Sequence, residues 1–257
     1  KRHLARLGQE VGAASLQFFS DYYNYPYPGD KLDLIAIPDF AAGAMENLGA
    51  ITFRETALLV DENAAARSDL ERVANVVSHE NAHMWFGDLV TMRWWNGLWL
   101  NEAFATFMAT LAVDHYKPDW QRWTSFAVSR ASALVVDGLI STRPIEFPVR
   151  QPGEAAGMFD VLTYQKGAAV LRMLEQYLGA EAFRAGIRLY LQKHAFANTE
   201  TLDLWDALEE PTQQPVRALM DTWVFQPGYP LLSVRTEGND IVISQQIFRY
   251  VQDGADL

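Results

Sequence analysis

Apolar side chains recur at helical spacing along most of the chain and change to a two-residue alternation only near its end. Leu4, Leu7, Val11, Ala14, Leu16, Phe18 and Phe19 predict a helix over residues 2–23, ended by the turn-forming stretch Asn24 to Gly29 with its two prolines. Leu32 to Ile37, closed by Pro38, and Ile51 to Arg54 read as strands. Between them Ala41-Ala42-Gly43-Ala44 is small enough for another backbone to come close, with Gly43 and Ala44 offering N–H groups along a strand edge. Ser68-Asp69-Leu70-Glu71 has the form of a capping box, and Leu70, Val73, Val76, Val77 and Met84 form the core face of the helix behind it. Leu89 to Met92 is strand-like. Leu100, Phe104, Phe107, Met108 and Leu111 mark a helix over Leu100 to Tyr116, with Glu102 off that stripe and Lys117-Pro118-Asp119 ending it.

Further along, residues 119–140 are expected as helix and Ser141 to Gly157, with prolines at 144, 148 and 152, as loop. Asp160 is placed to cap a helix running to Leu178 and stopped by Gly179, with Tyr164 in its first turn. Helices follow over Ala180 to His194, Thr201 to Glu210 and Val216 to Phe225 behind Pro215. Leu231 to Arg235 and Ile241 to Phe248 flank Glu237-Gly238-Asn239-Asp240 and predict a hairpin. Trp94, Trp95 and Trp99 are assigned to the core, and His3, His115 and His194 to surface or packing. The pattern describes an α+β fold of many helices and a few short strands.

Composition narrows the possibilities. The 257 residues suffice for one sizeable core, and a hydrophobic content of 49% with 21% charged residues is that of a globular protein. A formal net charge of −11 argues against nucleic acid and favours, weakly, a cationic partner. No apolar run approaches the length of a membrane span. The opening Lys1-Arg2-His3-Leu4 has no apolar signal region, which points to the cytoplasm if it is the true N-terminus; the chain reads instead as part of a longer protein. With no cysteine, metal ligands must come from His and carboxylates.

Such ligands are present. In His79-Glu80-Asn81-Ala82-His83 the two imidazoles lie four residues apart, on one helical face at about 5–6 Å between Cβ atoms, so both can reach one ion. Glu80, about 100° round the helix, is poorly placed as a ligand but can reach a water beside that ion. Glu102, on the next helix, is the candidate third ligand. The alternative three-histidine pattern fails, because Phe86 and Leu89 stand where it needs Gly and His. Two His and one Glu with an open position suit zinc, although other first-row divalent ions accept the same donors.

These residues, with Gly43-Ala44-Met45-Glu46-Asn47, Trp85-Phe86-Gly87, Trp94-Trp95-Asn96, Leu98-Trp99-Leu100, Asn101-Glu102-Ala103-Phe104-Ala105, Tyr164-Gln165-Lys166-Gly167-Ala168 and Trp223 to Pro230, closely resemble the aminopeptidase N family of zinc aminopeptidases, the gluzincins, over nearly the whole chain. The resemblance implies a thermolysin-like catalytic domain over 1–228, with a small β-sheet lobe and a mainly helical lobe, and the first strands of a truncated β-sandwich over 229–257, with N- and C-terminal domains missing. It implies one zinc ion on His79, His83 and Glu102, Glu80 as general base, Tyr164 as hydrogen-bond donor to the oxyanion, and Gly43, Ala44, Met45 and Glu46 as substrate contacts. Glu46 would bind the free α-amino group of a peptide. Asn81, Met84, Asp88, Gly97 and Ala103 depart from the family's usual Leu, Gln, Asn, Asp and Gly. Three rivals stay open: a zinc endopeptidase, an epoxide hydrolase, and a non-catalytic peptide-binding protein with a relict metal site. Asn81 is the least comfortable departure, since an amide at a usually apolar position needs a hydrogen-bond partner or solvent, and an absent neighbouring domain is one reason the position could tolerate it.

Overall fold

The structure, a computed structural model, describes residues 1–250. The expected first helix is α1, Arg6–Tyr23, entered through one 3-10 turn at Arg2–Ala5; Leu7, Val11, Phe19 and Tyr23 are its buried side. A small sheet follows, made of β1 (Asp33–Ile37), β2 (Ala44–Met45) and β3 (Ala50–Arg54) in the order β1-β3-β2. β1 runs parallel to β3 and β2 antiparallel to it, so β2 lies at an edge. The short helix α2, Glu55–Leu58, leads to α3, Arg67–His83.

Here one expectation fails. Helix α3 begins ahead of Ser68, with extended Ala66 as its cap residue and no side-chain capping bond. Glu71 does not turn back to the helix start: it accepts from Arg67 Nε at 2.7 Å and pairs with Arg122. Two cations outcompete one backbone N–H for its carboxylate.

β4 (Val90–Met92) leads to α4, Trp99–Tyr116. The predicted stripe understates α4, because Leu100, Ala103, Phe104, Phe107, Met108 and Val113 are all buried and so is Glu102, on the side the pattern left polar. It is the central helix, packed by α1, α3, α5 (Arg122–Asp137) and α6 (Gly167–Leu178). A helix apolar all round is a buried one. Phe86 and Phe104 stack with centroids 4.2 Å apart across the junction that leads from α3 into α4. Of the three tryptophans assigned to the core, only Trp99 is fully buried. Trp95 is half-buried and Trp94 is 43% exposed, its indole N–H reaching the Val149 carbonyl at 2.7 Å.

α7 (Ala180–His194), α8 (Thr201–Thr212) and α9 (Val216–Val224) complete the helical lobe. Strand β5, Ala197–Thr199, was not foreseen; it pairs in parallel with β4. Three residues between two helices are too few to display an alternation. The hairpin is present as β6 (Pro230–Glu237) and β7 (Asp240–Ile247), turning at Gly238-Asn239. Of the segment 229–257 assigned to a second unit, residues 251–257 lie outside the described ones. The architecture is α+β, and no helix of the described residues is long and apolar enough to cross a membrane.

Candidate metal centre

The last turn of α3 and the first turn of α4 face each other. His79 Nε2 lies 3.2 Å from Glu102 Oε2, His83 Nε2 lies 3.3 Å from the same oxygen, and the two imidazole nitrogens are 3.1 Å apart. Three nearly equal separations put the donors at the corners of a triangle about one point. A tetrahedral ion with bonds of about 2.0–2.1 Å places its ligands about 3.3 Å from one another, so the set fits zinc. His83 Nδ1–H donates to the Phe86 carbonyl at 2.9 Å, which fixes the tautomer that turns the Nε2 lone pair to that point.

Charge supports the geometry. Burial lowers the His83 pKa, but the Glu102 hydrogen bond and the carboxylates of Glu102, Glu46 and Glu80 outweigh it and hold the imidazole up to about 10. Burial raises the Glu102 pKa, and its bonds to His79 and His83 overcome that and hold the carboxyl well below the usual range. The pocket is thus built to hold positive charge among several carboxylates.

Glu80 is buried, and carboxylate oxygens of Glu80 and Glu46 and a nitrogen of His83 lie within 4.8 Å of one another. Burial raises the Glu80 pKa first, opposed by His79 and His83 and assisted by Glu46 and Glu102, a direction that suits a group taking and returning a proton. Glu46 follows edge strand β2. Beside it Ala44 is half-buried and Met45 exposed, and the space a Cβ would occupy on Gly43 is open. An extended chain can therefore approach β2 from outside the sheet. On the far side the Tyr164 ring lies 6.0 Å from that of His79, nearly parallel to it. Burial, then the Glu102 carboxylate, raise the pKa of its phenol, so the phenol keeps its proton for donation. Of the nine residues singled out as site candidates, His79, Glu80, His83, Glu102, Glu46 and Tyr164 come together across α3, α4, the end of β2 and the turn before α6, while Gly43, Ala44 and Met45 lie on the adjoining β2 segment.

Three further features escaped sequence reasoning. Tyr164 is not in an ordinary first helical turn: Asp160 does cap, accepting from the N–H of Leu162 and Thr163, but Leu162–Lys166 is a π-turn. Glu146 anchors the start of α4 by accepting from Asn96 Nδ2 at 2.6 Å, Trp99 Nε1 at 3.0 Å and the Thr201 hydroxyl. Asp88, noted only as a departure, has a carboxyl oxygen buried without a hydrogen bond, and burial followed by Glu46 pushes it up to about 7. Asn81 finds its partner inside the chain rather than in another domain, its Nδ2 donating to Gly12 O and Ser15 Oγ, each at 2.8 Å.

Residues 8–223 match the peptidase family M1 domain. The chain is 48% identical over 248 residues to Aminopeptidase M1-C of Oryza sativa subsp. japonica, covering 96% of this chain and 28% of that one. It is 46% identical over 240 residues to Tricorn protease-interacting factor F2 of Thermoplasma acidophilum, 93% of this chain and 30% of the other. With Leucyl aminopeptidase of Saccharolobus solfataricus it shares 44% over 253 residues, 98% of this chain and 32% of the relative. It spans about three tenths of the length of these relatives.

Proposed function

The chain belongs to peptidase family M1, and on that premise we propose that it is the thermolysin-like catalytic part of a zinc aminopeptidase, followed by the first strands of a β-sandwich. The observation that carries the reading is the triangle of His79, His83 and Glu102 donors with Glu80 and Glu46 beside it. His79, His83 and Glu102 hold the ion. Zinc bound there supplies a Lewis acid for the scissile carbonyl and lowers the pKa of water.

The substrate is a peptide with a free N-terminus. Glu46 pairs with its α-ammonium and so sets which peptide bond reaches the centre, while the backbone of Gly43, Ala44 and Met45 holds the peptide along β2. Glu80 takes the proton of the attacking water as its oxygen bonds to the carbonyl carbon. Tyr164 donates to the oxyanion of the tetrahedral intermediate. Glu80 then delivers the proton to the departing nitrogen, the C–N bond breaks, and an amino acid and a shortened peptide leave. The names of the relatives from Oryza and Saccharolobus support aminopeptidase over endopeptidase action, as does Glu46, for which an endopeptidase has no use. The same names disfavour the epoxide hydrolase and the relict binding protein. Since this chain spans only part of its relatives, it is expected alone to bind zinc and to turn over substrate slowly or not at all.

The test is Glu80→Gln in the intact protein, read beside zinc content and paired free and N-acetylated peptides. A loss of about 10²–10⁴-fold with zinc retained, and activity confined to unblocked peptides, is expected. Undiminished activity of the variant ends the assignment of the base; equal cleavage of blocked peptides ends that of Glu46.

A further inference from the structure

Tyr164 sits on backbone that does not hold itself. The Val161 carbonyl accepts from both the Gln165 and the Lys166 N–H, at 3.0 and 2.9 Å, and the turn so made is a single π-turn ahead of α6. Such turns are rare because their packing is poor, and they persist where neighbours support them. Both ends of this one are gripped by charge. Upstream, Arg143 donates to Asp160 Oδ1 at 2.6 Å and to the Thr163 hydroxyl at 2.9 Å, while also holding the Pro144 and Ile145 carbonyls. Downstream, the Lys166 ammonium stands 2.7 Å from Asp137 Oδ2, off the hydrogen-bonding axis, and donates to the Gly228 carbonyl at 3.2 Å. Asp137 Oδ1 accepts from the Thr142 hydroxyl at 2.8 Å and the Gly228 N–H at 2.9 Å. Just past the downstream grip Gly167 lies directly on α4, where a Cβ would stand 2.6 Å from that of Ala103, the residue after Glu102.

Lys166 is 4% exposed and Asp137 not at all. A pair so deeply buried forfeits most of the hydration of both ions, and apolar residues of like volume would usually serve stability as well or better. Stability therefore does not account for it, whereas its place does: it fastens the residue two positions after Tyr164 to the end of α5. We infer that Asp137 is a positioning residue which, through Lys166, fixes the downstream end of the π-turn so that the Tyr164 phenol stays over Glu102 and His79. This rests on the reading of Tyr164 as the donor to the oxyanion.

The experiment is Asp137→Asn in the zinc-loaded intact protein, alone and with Tyr164→Phe, with a ring-carbon NMR signal of Tyr164 as the second readout. The single variant should lose about tenfold in kcat with KM within about twofold and zinc unchanged, a loss of the size that small misplacements cause. In the Tyr164→Phe background it should cost less than about twofold more, because its effect passes through the phenol. The Tyr164 signal should move while those of tyrosines remote from the turn stay. An equal penalty in both backgrounds, or an unmoved signal in the folded variant, overturns the inference. If Asp137→Asn does not fold, Asp137→Leu with Lys166→Met replaces it: unchanged or raised Tm with the rate lost supports positioning, and a full rate overturns it. Should Tyr164→Phe be fully active while the signal still moves in Asp137→Asn, the oxyanion role of Tyr164 falls and the positioning role stands.

Discussion

The three metal-ligand candidates and the tyrosine turn meet at Glu102 but are held in place by different means. His79, His83 and Glu102 come from consecutive helices that meet largely through apolar side chains, with Phe86 stacked on Phe104 and Trp85, Met84 and Ala103 fully buried around them, and Glu146 holding the start of α4. The Tyr164 turn is held by Arg143, Asp160, Asp137 and the Gly228 backbone, drawn from four separate stretches of chain and joined through charge. Apolar contact fixes the first group wherever the helices can pack; the second depends on every partner arriving. Loss of a member should therefore do different things in the two places.

The largest effect belongs to the ligand side. Zinc held by the four protein donors of a structural site is worth about 10–16 kcal/mol, so the share of one ligand is about 2.5–4 kcal/mol. His83→Ala should weaken zinc binding by about 10²–10³-fold and take activity with it, measured by metal titration and by turnover at matched zinc. Helix packing should survive, so the far-UV circular dichroism stays native. Native zinc affinity in this variant would remove His83 from the ligand set. Tyr164→Phe is the counterpart on the other side: zinc affinity should not change and kcat should fall by about 10²-fold, the size of one oxyanion donor. A variant that lost zinc instead would erase the distinction between the two regions.

The same contrast explains what the sequence disclosed. His79 and His83 are four apart on one helix, and Glu102 opens the next, so helical geometry alone nearly brings the three together. The α+β class, α7 to its end residues, and the hairpin were legible for the same reason, each being a local pattern. The π-turn was not, because the charges that grip its two ends, Arg143 and Asp137, lie 21 and 27 positions before Tyr164 and look in sequence like surface charges. The capping box failed in the same way: Arg122, 51 positions beyond Glu71, claims that carboxylate. β5 was invisible because its three residues acquire meaning only beside β4.

Asp88 sharpens the comparison from the edge of the site, as a charge no partner has claimed. Burial and then Glu46 push its carboxyl up to about 7, against an ordinary 3.8. A carboxyl with a raised folded-state pKa binds its proton more tightly folded than unfolded, so between pH 3.8 and 7 stability falls as pH rises, and the cost is complete above 7. Asp88→Asn should therefore stabilise the protein by about 1–2 kcal/mol at pH 8, after allowance for partial exposure, and by nothing near pH 3.5. Urea midpoints at the two pH values read this directly. An equal gain at both would trace the effect to packing rather than charge.

Asn81 is a buried polar tie between α1 and α3 on the ligand side, and it should prove the least consequential. Its Nδ2 donates to Gly12 O and to Ser15 Oγ, fastening the catalytic end of α3 to α1, while its own Oδ1 is buried without a partner. Asn81→Leu removes that orphaned acceptor but deprives Ser15 of its donor, two changes of similar size and opposite sign, so the net loss should be about 0–1 kcal/mol. Ser15 still donates to the Val11 carbonyl at 2.8 Å, which limits the damage. Adding Ser15→Ala takes away the remaining buried hydroxyl, and the double variant should equal or exceed the native Tm with zinc affinity unchanged, since apolar contact between α1 and α3 suffices there. A double variant that loses zinc would show that the ligand helix, like the tyrosine turn, needs a polar hold from a distant part of the chain, and the contrast between the two regions would disappear.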